Sequence, residues 1–269
     1  MSTIKISINT KIPTANWEIG KAVLEAFSNT SEKLFPEFVS WKQPVRTPVK
    51  SIEECQEHWA PLSSYKDATG VHSFATNMLW KRASALKSDW HVMHTSSSNG
   101  VAKLHGVLLF SIKFNKSVDF FGLFKRLCQI LNPEVATLHL FTEIESQKNP
   151  YPCWIDRQVN SDGVRWESDP VAGDFFAGAL HPERGEAIPN LPWSIYFGAA
   201  IRGKFDEKHV AASGALIEEL NDGLLLRVSS EISEIEKDFG GFSERRARIK
   251  SHFPREMFVV KREPVINAG

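Results

Sequence analysis

AKLHGVLLFSIKFNKSVDFFGLFKRLCQILNPEVATLHLFTEIE, residues 102–145, decides the fold class. Its first third alternates. Leu108, Phe110, Ile112 and Phe114 fall on one face at period two, so Leu104 to Phe114 reads as a strand. Asn115 and Ser117 then supply turn and N-cap chemistry. From Val118 to Leu131 the period becomes helical. Phe120, Phe121, Phe124, Leu127, Cys128 and Leu131 form an i, i+3, i+4, i+7 stripe, with Lys125, Arg126 and Gln129 largely outside it. Asn132-Pro133 stops that helix, and Ala136 to Ile144 resumes strand character with Leu138, Leu140, Thr142 and Ile144 on one face.

Working outward towards the N-terminus, Asp89 to Ser96 is a second strand, joined to the first across the turn sequence SSSNG. Thr76 to Ser84 fits helix and strand equally, and Pro61 to Ala75 reads as loop. Ser51 and Glu54 form a capping box that opens a short helix through Trp59. Pro36, Pro44 and Pro48 make 36–49 an extended linker or edge segment. Before it lie a helix capped by Asn16, with Ile19, Val23, Ala26 and Phe27 on one side, and an alternating strand over residues 4–12.

Towards the C-terminus, six prolines interrupt Gln147 to Pro192, a long irregular segment. Regular structure returns with a strand at Trp193 to Arg202 and a short helix capped by Asp206. Asn221-Asp222-Gly223 then joins two apolar runs as a hairpin. A basic helix over Ser243 to His252 and a strand at Met257 to Val260 close the chain. This order lacks the strict alternation of a parallel α/β fold. The expectation is α+β: largely antiparallel sheets with helices packed on one face, a single domain with lobes of roughly 1–148 and 149–269. The later part could echo a ferredoxin-like split β-α-β unit.

Composition bounds the function. Lys plus Arg and Asp plus Glu both number 32, so formal charge is zero, which argues against a dedicated nucleic-acid binder. The N-terminal stretch has no signal-peptide core, and no run reaches the ~18 apolar residues of a membrane span. Three widely separated cysteines form no CxxC and suit a reducing compartment, so the cytoplasm is the expected location. No phosphate-binding glycine loop, HExxH or GxSxG occurs.

What chemistry there is stands against plainer readings. His91, His105 and His139 could gather around a metal, or be ordinary sheet histidines. Glu143 and Glu145 share a strand face, as acid/base carboxylates or as exposed strand-end residues. His181, Glu183, Arg184 and Glu186 form a polar cluster that a hydrolase could use and a solvated loop explains. A metal-dependent hydrolase built on His105, His139 and Glu143, or on His181 and Glu183, is therefore the alternative function. Glu231, Glu234, Glu236 and Asp238 make an acidic run just before the basic one at Arg245, Arg246, Arg248, Lys250 and Arg255. The plain reading is surface and helix-dipole complementarity; the sharper one is an acidic face that pairs with a basic partner. Trp154, Asp156, Arg157, Trp166 and Glu167 add an aromatic, charged loop of interface type.

FSIKFN, then VDFFGLFKRLCQILNPEVATLHLFTEIE, then PNLPWSIYFGAAIRGKF and NDGLLLRVSSE, resemble in their order the bacterial immunity proteins that neutralise polymorphic or type VI secretion toxins. The family they are most similar to is immunity protein family fifty-two. The likeness spans roughly residues 88–260. It implies a cytoplasmic, non-enzymatic protein, without cofactor or metal, that occludes the active site or substrate path of a cognate effector, a nuclease-type one in many such pairs. The partner-binding residues expected under this reading are Trp154, Asp156, Arg157, Trp166, Glu167, Glu183, Arg184, Glu231, Glu234, Glu236 and Asp238.

Overall fold

A computed structural model of the chain describes residues 2–95, 105–142, 188, 190–258 and 263. In chain order the elements are β1 (Thr3–Thr10), α1 (Trp17–Thr30), β2 (Phe38–Ser40), β3 (Thr47–Pro48), α2 (Gln56–Trp59), β4 (Leu62–Asp67), β5 (Gly70–Ala75), β6 (Met78–Arg82), β7 (Ser88–Met93), β8 (Gly106–Lys113), α3 (Phe120–Leu131) and β9 (Val135–Phe141). There follow β10 (Ser194–Phe197), α4 (Ala199–Arg202), α5 (Glu207–Ala212), β11 (Leu216–Leu220), β12 (Gly223–Arg227), α6 (Glu234–Lys237) and α7 (Phe239–Lys250). The fold is α+β, and every pairing between its strands is antiparallel.

Ten strands form one sheet in the order β11-β12-β10-β9-β1-β8-β7-β6-β2-β3. The stretch around 102–145 does form strand, helix and strand, but β8 and β9 are not neighbours. β1 lies between them, antiparallel to both, with Ile6 facing Phe110 on one side and Leu138 on the other. The order β9-β1-β8-β7, with α1 and α3 as crossovers, is a ferredoxin-like split β-α-β arrangement. It therefore sits in the first half of the chain, whereas β10 to β12 extend its β9 edge as an antiparallel run.

Ile4, Ile6 and Ile8 of β1 share a face with Leu108, Phe110 and Ile112 of β8 and with Ala136, Leu138 and Leu140 of β9, and all are buried. Val23, Leu24 and Phe27 of α1 and Leu123, Phe124, Leu127 and Leu131 of α3 complete that core. The register puts Ile195, Phe197, Leu224 and Leu226 on the opposite face. There Phe197 meets Phe205 and Phe253 at centroid separations of 5.0 and 5.7 Å, and His139 meets Phe242 of α7 at 5.9 Å.

Several expectations shift. Residues 62–75 are a β-hairpin rather than a loop. The reading missed it because neither face is buried, so no apolar period marks it. The ambiguous 76–84 stretch contains strand β6, paired with β7 and β2. The strand begun at Trp193 ends at Phe197, because Gly198 lies against the Pro133 carbonyl, too close for a side chain, and the chain turns into α4. The basic helix starts at Phe239, capped by Asp238 instead of Ser243, which is buried. Met257 ends a short 3-10 turn, and Phe258 forms a parallel bridge to Ile188. Among the described residues, no helix is long and apolar enough to cross a membrane.

A buried polar knot fixes α2 to the sheet. Trp59 Nε1–H donates to the Thr14 carbonyl at 2.8 Å, and the Trp59 carbonyl lies 2.6 Å from His94 Nε2. That contact requires the Nε2–H tautomer, leaving Nδ1 to face the Thr14 hydroxyl at 3.4 Å. Burial holds the His94 pKa below its ordinary value, against the opposing pull of the Trp59 and Thr14 bonds. Above about pH 6.5 the ring is neutral folded or unfolded. Below it the unfolded chain takes up a proton that the folded chain resists, so stability falls as pH drops. The urea midpoint is expected to decline from about pH 6.5 downward. His94→Gln, which keeps a donor for the Trp59 carbonyl, should flatten that part of the profile.

Candidate partner-binding surface

Glu231, Glu234, Glu236 and Asp238 belong to a loop, the short helix α6 and the cap of α7, and they do different things. Glu234 faces inward to its own chain. Its carboxylate accepts from Arg245 Nη1 at 2.8 Å, from the Ser230 hydroxyl at 3.0 Å and from the Glu231 N–H at 3.2 Å. The Arg245 bond is the main reason its pKa lies below the usual carboxylate value. Asp238 Oδ1 accepts from the Gly241 N–H at 2.9 Å and caps α7. Glu231 and Glu236 are exposed.

The basic run is equally committed to the chain's own structure. Arg246 Nη2 lies 2.6 Å from Glu263, and Lys250 Nζ lies 2.6 Å from both Glu263 and Asn190 Oδ1. Arg248 Nε donates to the Ser213 carbonyl at 3.0 Å. Helix α7 thus ties together Glu263, Asn190 and Ser213. Its charge pattern arises largely from internal pairing.

Charge reversal separates these roles. Glu234→Lys is expected to cost about 1–2 kcal/mol of stability, because one carboxylate holds three donors. Glu236→Lys should stay within about 0.5 kcal/mol. Urea denaturation of the two variants measures the difference.

Glu231 also rims a groove of about 370 Å3, lined by Phe114, Phe121, Trp193, Arg227 and Ile232 among others. Arg227 stacks over the Phe121 ring at 4.4 Å and donates to the Ser230 carbonyl at 3.2 Å. Sequence reading did not assemble this groove, because its walls come from the β8–α3 loop, α3, Trp193 ahead of β10, β12 and the loop before α6. Trp154, Asp156, Arg157, Trp166, Glu167, Glu183 and Arg184 lie outside the described residues, as do Glu143, Glu145 and His181.

The histidines do not converge. β1 separates the strands of His105 and His139. His139 faces Lys5 near one end of β1, while His105 precedes Gly106, which faces Thr10 at the other. At ~3.3 Å per residue they are roughly 20 Å apart, too far to share an ion. His139 Nδ1 accepts from the Trp193 N–H at 2.9 Å. His105 Nδ1 lies 2.8 Å from Asn9 Oδ1 and 3.0 Å from Glu134 Oε2. Among the described residues no group of three or more His, Cys, Asp or Glu is placed to hold a metal. Burial pushes the Cys55 thiol up to about 12 and raises Cys128 well above its ordinary value, so neither is a ready nucleophile.

Exposed apolar surface is concentrated elsewhere. Hairpin β4–β5 carries Leu62 at 78%, Tyr65 at 55%, Val71 at 68% and Phe74 at 44% exposure, four of the six large apolar residues found exposed among the described residues. Among the described residues its strands pair only with each other.

No family model and no curated protein matches the chain. Among solved structures, it is similar to a Pseudomonas aeruginosa T6SS protein, with a TM-score of 0.52 at 9% identity over 96% of this chain and 77% of that one. At that identity the likeness is one of fold.

Proposed function

We propose that this chain is an immunity protein of a type VI secretion system. It binds a cognate toxin, of nuclease type, in the cytoplasm of the producing cell. It blocks the toxin's active site or substrate path and carries out no reaction of its own. The observation that carries this reading is the fold shared with a T6SS protein along nearly the whole chain. The ordered sequence blocks that resemble immunity proteins point the same way. The distance between His105 and His139 speaks against a metal ion shared by these two histidines. A balanced charge favours a protein partner over nucleic acid.

The test is co-expression. The toxin encoded beside this chain's gene should arrest growth when induced alone, and growth should be restored when this chain is induced with it. Equal killing with and without the chain would overturn the proposal.

A further inference from the structure

Hairpin β4–β5 is open to water on both faces. Leu62, Lys66 and Val71 point to one side, Tyr65, His72 and Phe74 to the other, and each strand keeps an unpaired outer edge among the described residues. An isolated two-stranded hairpin is marginal in water, and large apolar side chains on both its faces make it more so. Yet it is stiffened at both ends. At its base Thr76 donates to the Pro61 carbonyl through its N–H at 2.9 Å and through its hydroxyl at 3.0 Å. At its tip Asp67 Oδ1 accepts from the Thr69 N–H and hydroxyl, each at 2.7 Å, and His72 Nε2 lies 2.8 Å from the Thr69 hydroxyl and 3.1 Å from Asp67 Oδ1. Tyr65 stacks on His72 at 5.1 Å and meets Phe74 at 6.1 Å. The aromatic side chains are held in position before anything covers them, which lowers the entropy lost on binding.

We propose that this hairpin is a preformed finger that enters a concave, apolar-walled cleft of the toxin, with Tyr65 and Phe74 as its anchors. The inference rests on the function proposed above and names the contact surface. The shape selects the occupant. A projecting element exposed on two faces is fully covered only by walls on both sides, which a cleft supplies and a flat surface does not. A second copy pairing along one strand edge would leave both faces bare. A bilayer would have to take up Lys66 and Asp67, which lie nearest the tip, at a cost that makes insertion unfavourable. Lys66 is the hairpin's sole Lys or Arg, too little for phosphate contacts.

The test titrates a catalytically inactivated form of the neighbouring-gene toxin with this chain by calorimetry. Tyr65→Ala and Phe74→Ala are each expected to weaken binding by about 30-fold or more, with an unchanged melting temperature, as expected of exposed anchors. A second variant replaces residues 62–75 by a short glycine link between Pro61 and Thr76, which the base hydrogen bond already holds together, and should abolish binding while keeping the far-ultraviolet spectrum of the body. Unchanged affinity in these variants, with the wild type binding, would overturn the finger and leave the immunity reading standing. A wild-type dimer lost in Tyr65→Ala and Phe74→Ala would make a second copy the occupant and also overturn it. No binding by the wild type would remove the finger and the immunity reading together.

Discussion

Phe27→Ala is expected to destabilise the protein by about 3–5 kcal/mol. Phe27 is fully buried on the inner face of α1 and joins three strands at once. Its ring lies 3.5 Å from Trp90 of β7, 5.0 Å from Phe110 of β8 and 5.7 Å, edge-on, from Trp80 of β6. Trp80 and Trp90 stack on each other at 3.5 Å. Removing Phe27 therefore takes away the ring against which both indoles and Phe110 rest. The indoles are poor candidates for collapse into the space, since each is already held by cross-strand pairing, Trp80 facing Trp90 and Trp90 facing Phe110. A cavity that stays open gives the upper end of the range. Urea denaturation followed by tryptophan fluorescence should show the lower midpoint. Phe27→Leu should recover a large part of the loss, because it restores apolar volume.

Glu263→Ala is expected to cost about 3 kcal/mol or more, although it lies near the end of the chain. Position explains this. The carboxylate sits between Arg246 Nη2 and Lys250 Nζ at 2.6 Å each, and the side chains of Arg246 and Glu263 are 1% and 6% exposed. Arg246 also stacks on Phe242, with its guanidinium carbon 5.1 Å from the ring. Deleting the carboxylate takes from two buried cations the anion they share, and burial multiplies that cost. Glu263→Gln keeps the shape and should fall between wild type and alanine. Arg246→Met with Glu263→Leu, which removes charge from both sides of the main pair, should be less damaging than Glu263→Ala alone. Thermal unfolding of the four proteins side by side ranks them.

The parts of this fold that were legible in sequence are those whose two faces differ. The apolar stripe of α3 stands out because water is excluded from one side and tolerated on the other, and the alternation of β1 and β9 because one face is purely aliphatic while the other carries Ser7, Asn9, Thr137 and His139, polar although buried. Asn16 and Asp206 were readable as caps, since each side chain bonds N–H groups two or three residues ahead. Strand neighbours were not legible. Nothing in Ile4, Ile6 and Ile8 states that the strand they build will separate β8 from β9, so the sequence alone does not keep His105 and His139 apart. Gly20 illustrates a similar limit. It looks like an ordinary weak spot in α1, yet a Cβ there would come within 2.5 Å of the Trp59 ring, so the glycine exists for a contact made 39 positions away. Hairpin β4–β5 escaped notice for the opposite reason, being wet on every side. Of the residues expected at an interface, Glu234 and Asp238 carry internal bonds, which a run of acidic letters does not reveal.

The central place of β1 governs how the molecule assembles. Its first residue pairs with Lys113 on one flank and Phe141 on the other, so the β8 ladder waits for more than a hundred residues and the β9 ladder closes only after the chain beyond α3 has been made. Closing such long loops makes the search slow. During synthesis Ile4, Ile6 and Ile8 emerge well before β8 and β9 and wait bare for them, in the stretch of time when a nascent chain is most open to mispairing and to capture by chaperones.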